Sequence, residues 1–371
     1  MRVFLPFAAG IAALSAPPEK PAPNRAVTAP PTRTATVATA SAAAVMQSGA
    51  LSESGFQAYL PQLRAQAERA GVSRATIDRV FPTLTFSQRT IDLDRGQPGG
   101  TPSGPNSNPN PPFAPYRIRH VTPALIARGR DRYSANRMRL QDISRRYGVD
   151  PTVLIAIWGK ETSYGNVTGD FDLANSLASL SYEGRRRQLF SEEFVAALKM
   201  MDRGIARTTL RGSWAGATGH PQFLPSVYLR LGVDGDADGR ADIWNSQIDA
   251  LASIANYLSN AGWRPNLRWG VPATVPAGFD RAAVASRTRA PRCPRVFERH
   301  SRWLTVGEWR RMGVVPLRAG LGDRDLASLI EPDGPGQTAY LTTNNYRTIL
   351  DYNCSNFYAL SVLLLADGIG S

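Results

Sequence analysis

The segment from residue 150 to residue 165 constrains the fold more than any other, because it combines a helix start, an apolar stripe and one acidic residue. Asp150 is followed by proline, which is typical of a helix N-terminus. Apolar side chains then recur at spacings of three and four residues, the pattern of a buried helix face. Glu161 follows Trp158 by three residues, so it lies on that apolar face close to an expected helix end at Gly165.

A carboxylate on a buried face needs an explanation, because an unpaired buried charge is strongly destabilising. One interpretation is a structural ion pair between Glu161 and an arginine, a residue type that is plentiful in this chain. The other is a general acid, because loss of water raises the pKa of a carboxyl group towards neutrality, where it can donate a proton. The spacing alone leaves both interpretations open.

Length and composition exclude several classes of protein. The chain has 371 residues, enough for two or three domains, and it contains no apolar run of the roughly 18 residues that a membrane-spanning helix needs. Its two cysteines, Cys293 and Cys354, exclude a disulfide-dense scaffold and a four-thiolate zinc site. Its three histidines lack the spacing of a histidine-based metalloprotease site.

The formal net charge is +13, with 43 basic and 30 acidic residues. This excess is either spread over a solvated surface or directed at an anionic polymer such as nucleic acid, a membrane face or an acidic wall glycan. The sequence has no RNA-binding aromatic strand and no dense block of basic residues, which disfavours nucleic acid.

Small residues dominate the run from 212 to 219, which contains Ser213 and is followed closely by Gln222. Such a run lets the backbone approach another chain or a flat sugar ring closely. A simple helix-packing turn is the alternative. Ser213 is a poor nucleophile candidate, because the G-x-S-x-G elbow is absent and no histidine lies beside it in sequence.

An acidic segment has the pattern of an EF-hand calcium loop, whose positions 1, 3, 5 and 9 are filled by Asp234, Asp236, Asp238 and Asp242. Gly239 occupies position 6, and Arg240, at position 7, joins the candidate ligand set. Asn245 stands at position 12 instead of the usual glutamate, and Asp249 lies slightly further on as a further candidate ligand. A structural calcium site is predicted, with a solvated acidic turn as the alternative.

Taken together and in this order, these segments resemble the membrane-bound lytic transglycosylase B family, which cleaves bacterial peptidoglycan. The matching stretches are residues 155–165, 212–226, the Asp234 loop with Trp244, residues 254–258 and residues 344–359. The resemblance implies a mainly α fold, with a lysozyme-like helical core, a helical accessory region and a small β-rich insertion. It implies no organic cofactor, and peptidoglycan strands as the partner.

The resemblance also implies cleavage of the β-1,4 bond between N-acetylmuramic acid and N-acetylglucosamine by one catalytic glutamate, at Glu161. Acting as acid and then as base, it would close a 1,6-anhydro ring on the muramic acid. Ser213 and Gln222 would contact substrate near the cleavage point. The cleft would be lined by Tyr257, Tyr352, Asn353, Tyr358 and, across an insertion, Tyr116. The acidic loop would bind calcium, with the late position of Asp249 departing from the family pattern.

Two other kinds of function are weighed against this one. A non-catalytic wall-binding scaffold would use the same cleft, although it would have no need of a desolvated glutamate. A hydrolytic muramidase would need a second carboxylate, for which Asp170 and Asp172 are nearest in sequence.

The expected organisation begins with a signal peptide at 1–16 and a Pro/Ala/Thr-rich tether at 17–50. The accessory helices at 51–145 would include a long loop at 97–115, and the core would occupy 146–264. A β-rich insertion at 265–335 and a C-terminal strand and helix at 336–371 would follow. No cysteine follows the signal-like stretch, so we expect a periplasmic protein without a lipid anchor, working on peptidoglycan and alongside other cell-wall enzymes. In an oxidising periplasm Cys293 and Cys354 either form a disulfide or remain two independent buried thiols.

Overall fold

The structure is a computed structural model that describes residues 51–96, 111–287, 290 and 292–371. The expected signal peptide, the tether and residues 97–110 of the expected loop lie outside this part of the chain. Helices dominate the described residues, which confirms the predicted mainly α class.

The helices are α1 Glu53–Arg69, α2 Arg74–Val80, α3 Gln88–Arg95, α4 Ala114–His120, α5 Pro123–Ala135, α6 Arg137–Tyr147, α7 Pro151–Thr162, α8 Leu173–Glu183, α9 Arg187–Asp202, α10 Pro225–Leu231, α11 Gln247–Asn260, α12 Pro294–Phe297, α13 Val306–Arg311, α14 Asn344–Tyr352 and α15 Asn356–Gly370. The strands are β1 Phe171–Asp172, β2 Arg211–Gly212, β3 Gly270–Thr274, β4 Leu304–Thr305, β5 Val315–Pro316, β6 Leu326–Ile330 and β7 Ala339–Thr342.

Helix α7 forms the centre of the main hydrophobic cluster. It begins as predicted, because the Asp150 side chain accepts a hydrogen bond from the backbone N–H of Thr152 at 2.8 Å. Its apolar residues pack against α5, α6, α11 and α15 and are almost completely excluded from solvent. The helix ends at Thr162, earlier than the expected Gly165, because Ser163 already adopts a left-handed conformation at φ 52°. The Tyr164 ring then folds back over Gly159, where a Cβ atom would lie 2.5 Å from it.

The N-terminal helices divide between two hydrophobic clusters. Helices α1 to α3 pack with α8 and α9, whereas α4 to α6 pack on the central cluster around α7. Ser52 caps α1 by accepting from the backbone N–H of Gly55 at 3.1 Å.

The predicted β-rich region contains an antiparallel sheet with strand order β4-β6-β7-β3-β5. Strand β7 completes the sheet from the C-terminal segment and leads directly into α14. Trp309 on α13 is fully buried against one face of the sheet, and its indole N–H donates to the carbonyl of Ala327 at 3.0 Å. A separate small hydrophobic cluster therefore stabilises this region.

A disulfide and side-chain hydrogen bonds link the bend between α14 and α15 to residues 292–300. Cys293 and Cys354 form a disulfide with Cα atoms 5.6 Å apart, which decides between the two alternatives for these cysteines. The amide group of Asn356 donates to the carbonyl of Val296 at 3.0 Å, and its oxygen lies 2.8 Å from Nε2 of His300. These contacts connect the β-rich region to the end of the core that carries Tyr352 and Tyr358.

In the described part of the chain, no individual helix has the length and apolar character needed to cross a membrane. Helices α14 and α15 meet the criterion only as a pair, and they are bent by 117°.

Replacing both Cys293 and Cys354 by serine is expected to lower the free energy of unfolding by about 2–4 kcal/mol, because the disulfide closes a long loop in the unfolded chain. Denaturant unfolding followed by circular dichroism would measure this loss. A reductant should destabilise the native protein by a similar amount and leave the double variant unchanged. Equal stability of the native protein with and without reductant would contradict the expectation.

Candidate active site

Glu161 lies in the last turn of α7 and faces the N-terminal part of α15. Its Oε1 atom accepts a hydrogen bond from the hydroxyl of Tyr358 at 2.5 Å. Tyr358 is buried, and its position is fixed because Ser355 caps α15 by accepting from the Tyr358 backbone N–H at 3.2 Å. The packing of α7 on α15 therefore brings together two residues that are 197 positions apart in the sequence.

The electrostatic environment of Glu161 favours its protonated form. Burial raises the pKa of Glu161 to about 7, although the Tyr358 hydrogen bond and the charge of Lys160 both act to lower it. Among the described residues no arginine forms an ion pair with Glu161, so the structure does not contain the Glu–Arg pair that the spacing had left open. A carboxyl group that titrates near neutrality can donate a proton and later accept one.

Three tyrosine side chains form a connected row that begins beside Glu161. The rings of Tyr358 and Tyr352 stack with centroids 6.5 Å apart, and Tyr257 lies 4.8 Å from Tyr352 in an edge-on arrangement. The Tyr352 hydroxyl donates to the carbonyl of Pro221 at 2.5 Å, and the Tyr257 hydroxyl donates to the carbonyl of Asp351 at 2.7 Å. The predicted cleft tyrosines 257, 352 and 358 therefore form one connected group with fixed hydroxyls.

Tyr116 reaches the same region from α4. Its ring lies 5.4 Å from the Lys160 ammonium group and 3.9 Å from the His120 ring. Burial lowers the pKa of Lys160 to about 8 and that of His120 to about 4, so the histidine is neutral at physiological pH. Neither Lys160 nor His120 was predicted to lie at the site. The position of Lys160 directly before Glu161 in the sequence could have indicated the lysine.

The remaining residues predicted to contact substrate are Ser213 in the run of small residues, Gln222 just after it, and Asn353. Ser213 is almost buried, and its hydroxyl accepts from the backbone N–H of Ala217 at 3.0 Å. Gln222 has a left-handed backbone at φ 51°, and its amide nitrogen donates to the carbonyl of Thr168 at 3.0 Å. The side-chain oxygens of Gln222 and Asn353 are buried and have no hydrogen-bond partner among the described residues. These two oxygens can accept hydrogen bonds from a ligand.

His220 connects this run to α7. The indole N–H of Trp158 donates to Nδ1 of His220 at 3.1 Å, and Thr162 donates through its hydroxyl to the His220 carbonyl at 3.2 Å. Burial lowers the pKa of His220, which keeps Nδ1 available as an acceptor. The role of His220 as the acceptor for Trp158 was not predicted from the sequence, although a buried tryptophan indicates that an acceptor must be nearby.

Of the two carboxylates considered for a hydrolase, Asp172 is engaged in other contacts. Asp172 caps α8 by accepting from the backbone N–H of Asn175 at 2.9 Å, and it also pairs with Arg207 at 2.9 Å. Asp170 is exposed, and its backbone carbonyl accepts from Arg211 at 2.7 Å.

The carboxylates of the acidic loop lie close together, as expected for a calcium site, but the clustered residues are not the same as the predicted ligand set. One ligand atom from each member lies within 4.8 Å of the others in the set Asp234, Asp236, Asp238 and Asp249. Asp242 is not in this set; its carboxylate accepts from the backbone N–H groups of Trp244 and Asn245. The Arg240 side chain is exposed, and its backbone N–H donates to Asp238.

Asp249 enters the loop from the first turn of α11, where it is fully buried. It accepts hydrogen bonds from the backbone N–H of Gly235 at 2.8 Å and of Asp242 at 2.7 Å. One oxygen of Asp236 is buried and has no hydrogen-bond partner within the described part of the chain. The donor set of four carboxylates with an unsatisfied oxygen fits a hard divalent cation such as Ca²⁺.

Comparisons with known proteins agree with this geometry. Residues 55–367 match the family described as SLT_2, the transglycosylase SLT domain. The chain is 30% identical over 302 residues to membrane-bound lytic murein transglycosylase B of Escherichia coli (strain K12), covering 81% of this chain and 79% of that protein.

Two solved structures are also similar. SltB3 of Pseudomonas aeruginosa in complex with NAG-anhNAM-pentapeptide is 36% identical with a TM-score of 0.74, over 85% of this chain and 80% of that one. The Escherichia coli lytic transglycosylase Slt35 in complex with calcium is 26% identical with a TM-score of 0.66, over 88% of this chain and 96% of that one. The resemblance inferred from the sequence and its lysozyme-like fold are thus confirmed, and the chain belongs to the SLT_2 family of lytic transglycosylases.

Proposed function

We propose that this chain is a peptidoglycan lytic transglycosylase that cleaves the bond between N-acetylmuramic acid and N-acetylglucosamine, with Glu161 as its acid and then its base. The observation that carries the proposal is the Glu161 carboxyl group, whose pKa is raised to about 7 and which Tyr358 holds by a hydrogen bond. Membership of the SLT_2 family and the similarity to a structure that contains an anhydro-sugar product support it.

In the first step, protonated Glu161 donates its proton to the glycosidic oxygen while the bond from that oxygen to C1 of the muramic acid breaks. The N-acetylglucosamine then leaves as an alcohol, and positive charge develops on the muramic acid ring. Glu161 is now a carboxylate, and the Tyr358 hydrogen bond stabilises this charged form.

In the second step, the Glu161 carboxylate removes the proton from the C6 hydroxyl of the same muramic acid. The C6 oxygen forms a bond to C1, which closes the 1,6-anhydro ring and restores protonated Glu161. No water is consumed, and the nucleophile belongs to the substrate. One carboxyl group is therefore sufficient, in agreement with the structural use of Asp172 in a helix cap and an ion pair.

The other predicted site residues would bind the glycan. The unpartnered amide oxygens of Gln222 and Asn353 are suited to accept hydrogen bonds from sugar hydroxyl or acetamido groups. Tyr116, Tyr257 and Tyr352 would present ring faces to the sugars, and Ser213 would contribute its hydroxyl near the cleavage point.

Two other candidate functions fit less well. A non-catalytic scaffold gains nothing from the raised pKa of Glu161, because a desolvated carboxyl lowers stability without improving binding. A hydrolytic muramidase would need a second carboxylate, and Asp172 is engaged elsewhere.

A periplasmic location belongs to the same proposal. The Cys293–Cys354 disulfide supports it, because disulfides persist in oxidising compartments. The expected signal sequence at 1–16 would direct the chain there, and other cell-wall enzymes would be its protein partners.

We further propose that the acidic loop binds Ca²⁺ through Asp234, Asp236, Asp238 and Asp249. The crystal structure of Slt35 with calcium supports this assignment. The ion would neutralise the repulsion among these carboxylates and connect the loop to α11, so its role would be structural.

Replacing Glu161 by glutamine is expected to lower the rate of glycan cleavage by about a thousandfold, because the general acid and base are both lost. Mass spectrometry of muropeptides released from purified sacculi would measure this. The native protein should release products one water lighter than hydrolytic ones. As a matched control, Asp170→Asn should retain activity. Ordinary reducing ends, or full activity of the glutamine variant, would overturn the assignment.

A stability measurement distinguishes loss of chemistry from loss of fold in this variant. The pKa of Glu161 is raised in the folded protein, so the folded state retains a proton that the unfolded state loses between pH 4.5 and about 7. This group therefore lowers stability as pH rises through that window. Glu161→Gln should be at least as stable as the native protein at pH 8.

Replacing Tyr358 by phenylalanine is expected to raise the pKa of Glu161, because the lost hydrogen bond stabilises the charged carboxylate. Since cleavage begins with protonated Glu161, the alkaline limb of kcat/KM should move to higher pH by roughly one pH unit. Tyr352→Phe is the matched control, because its hydroxyl donates to Pro221 instead of Glu161. An unchanged alkaline limb in Tyr358→Phe would contradict the proposed role.

Adding Ca²⁺ at a hundredfold excess over its Kd is expected to raise the melting temperature by about 5 °C, with reversal by a chelator. Asp238→Asn should weaken this response, because Asp238 is an exposed member of the ligand set. Asp280→Asn, in a turn elsewhere in the chain, should leave this response unchanged. A melting temperature that does not respond to Ca²⁺ or chelator would exclude the site.

A further inference from the structure

His220 contacts the chain on both sides of Glu161. Before Glu161, the indole N–H of Trp158 donates to Nδ1 of His220 at 3.1 Å, and the two rings meet edge to face with centroids 5.5 Å apart. After Glu161, the hydroxyl of Thr162 donates to the His220 carbonyl at 3.2 Å. The imidazole also packs on Gly165, where a Cβ atom would lie 2.3 Å from Cε1 of the ring. These contacts therefore enclose the turn of α7 that carries the proposed acid and base.

The turn that follows α7 needs such support, because its backbone is strained. Ser163, Tyr164 and Gly165 are consecutive residues with left-handed backbone, at φ 52°, 61° and 84°. Two of them carry a Cβ atom, which disfavours this conformation, so contacts from other segments have to hold the turn. The hydroxyl of Tyr164 donates to the carbonyl of Leu125 at 2.9 Å. His220 supports the residues on either side of the strained pair.

His220 is itself fixed in the position that these contacts need. Its backbone N–H donates to the carbonyl of Ile243 at 2.9 Å, and the carbonyl of the next residue, Pro221, accepts from the hydroxyl of Tyr352. Because an indole N–H can only donate, Nδ1 of His220 must be unprotonated, which places the ring proton on Nε2. Burial lowers the pKa of His220 and so maintains this neutral form. Trp158 is fully buried, so its indole N–H depends on this acceptor.

We propose that His220 is a positioning residue of the reaction, which holds Glu161 in place for proton transfer by fastening Trp158 and Thr162 around it. This inference rests on the proposed function, in which the Glu161 carboxyl has to reach first the glycosidic oxygen and then the C6 hydroxyl. Both transfers require hydrogen-bond distance. Without His220 the strained turn would relax and displace Glu161, while all the proposed sugar-binding groups would remain. The loss should therefore fall on kcat.

Kinetics on soluble glycan strands with two variants of similar shape test this role. His220→Leu removes the acceptor and should lower kcat about tenfold, with KM within roughly twofold of the native value. His220→Asn places a carbonyl oxygen close to the position of Nδ1 and should recover most of kcat. The matched control is Tyr59→Phe, which removes a buried hydrogen bond to Ser181 in the other helical cluster and should change neither constant. A raised KM with native kcat in His220→Leu, or equal losses in both His220 variants, would overturn the proposal.

The contact through Thr162 provides a second test that does not depend on the folding of His220→Leu. Thr162→Val removes the hydroxyl that donates to the His220 carbonyl but preserves the volume of a buried side chain. It should lower kcat without raising KM, whereas Thr162→Ser retains the hydroxyl and should keep native kcat. Thermal melting of each variant confirms that it is folded at the assay temperature. Native kcat in Thr162→Val would exclude the proposed role.

The titration of Glu161 separates its position from the chemistry. In His220→Leu, the ¹³C NMR signal of the Glu161 carboxyl should report a pKa that differs from the native one by roughly half a unit or more, because burial and the Tyr358 hydrogen bond both depend on where the carboxyl lies. His220→Asn should retain the native pKa. The same pKa in all three proteins would contradict the proposal. If the native protein cleaved no glycan, the proposed function would fail, and this titration would still decide whether His220 positions Glu161.

Discussion

The hydrogen bond between Glu161 and Tyr358 depends on almost everything else in the core. It joins the last turn of α7 to the first turn of α15, and each helix is held by a cap at Asp150 or Ser355. Burial alone would leave Glu161 as a simple acid, because desolvation opposes its charged form. The hydrogen bond from the Tyr358 hydroxyl stabilises the ionised form of Glu161. The same side chain can therefore donate a proton and later accept one.

The sequence predicted those parts of the site that depend on local patterns. The Asp150 cap, the apolar stripe of α7 and the position of Glu161 on it follow from helical spacing and capping chemistry, and the structure confirms the helix. The mainly α class and the β-rich region were implied by the family resemblance, and the structure contains both. The end of α7 was placed too late, since the left-handed turn at Ser163 uses a residue type that rarely adopts it.

The features that were missed depend on contacts between distant segments. Asp249 was named as a candidate ligand, but the sequence could not show that the first turn of α11 brings it to the other carboxylates while Asp242 lies outside their cluster. His220 meets Trp158 across 62 residues. A cavity beside the start of α15 draws its walls from Pro112, from the β-rich region and from α15. Spacing in one sequence carries no information about such contacts, so only a resemblance to known proteins or a structure can supply them.

The excess of arginine has a structural explanation that spacing arguments could not provide. Asp94 is buried and pairs with both Arg185 and Arg186. Arg347 lies between two aromatic rings, 4.6 Å from Phe297 and 4.5 Å from Trp303. A planar guanidinium group can stack on rings and form two-point ion pairs, whereas a lysine ammonium group cannot. Part of the net charge of +13 is therefore committed to packing, which weakens the inference from charge to a polyanionic partner. Recognition of a glycan then has to come from shape and from hydrogen-bonding groups such as the buried amide oxygens of Gln222 and Asn353.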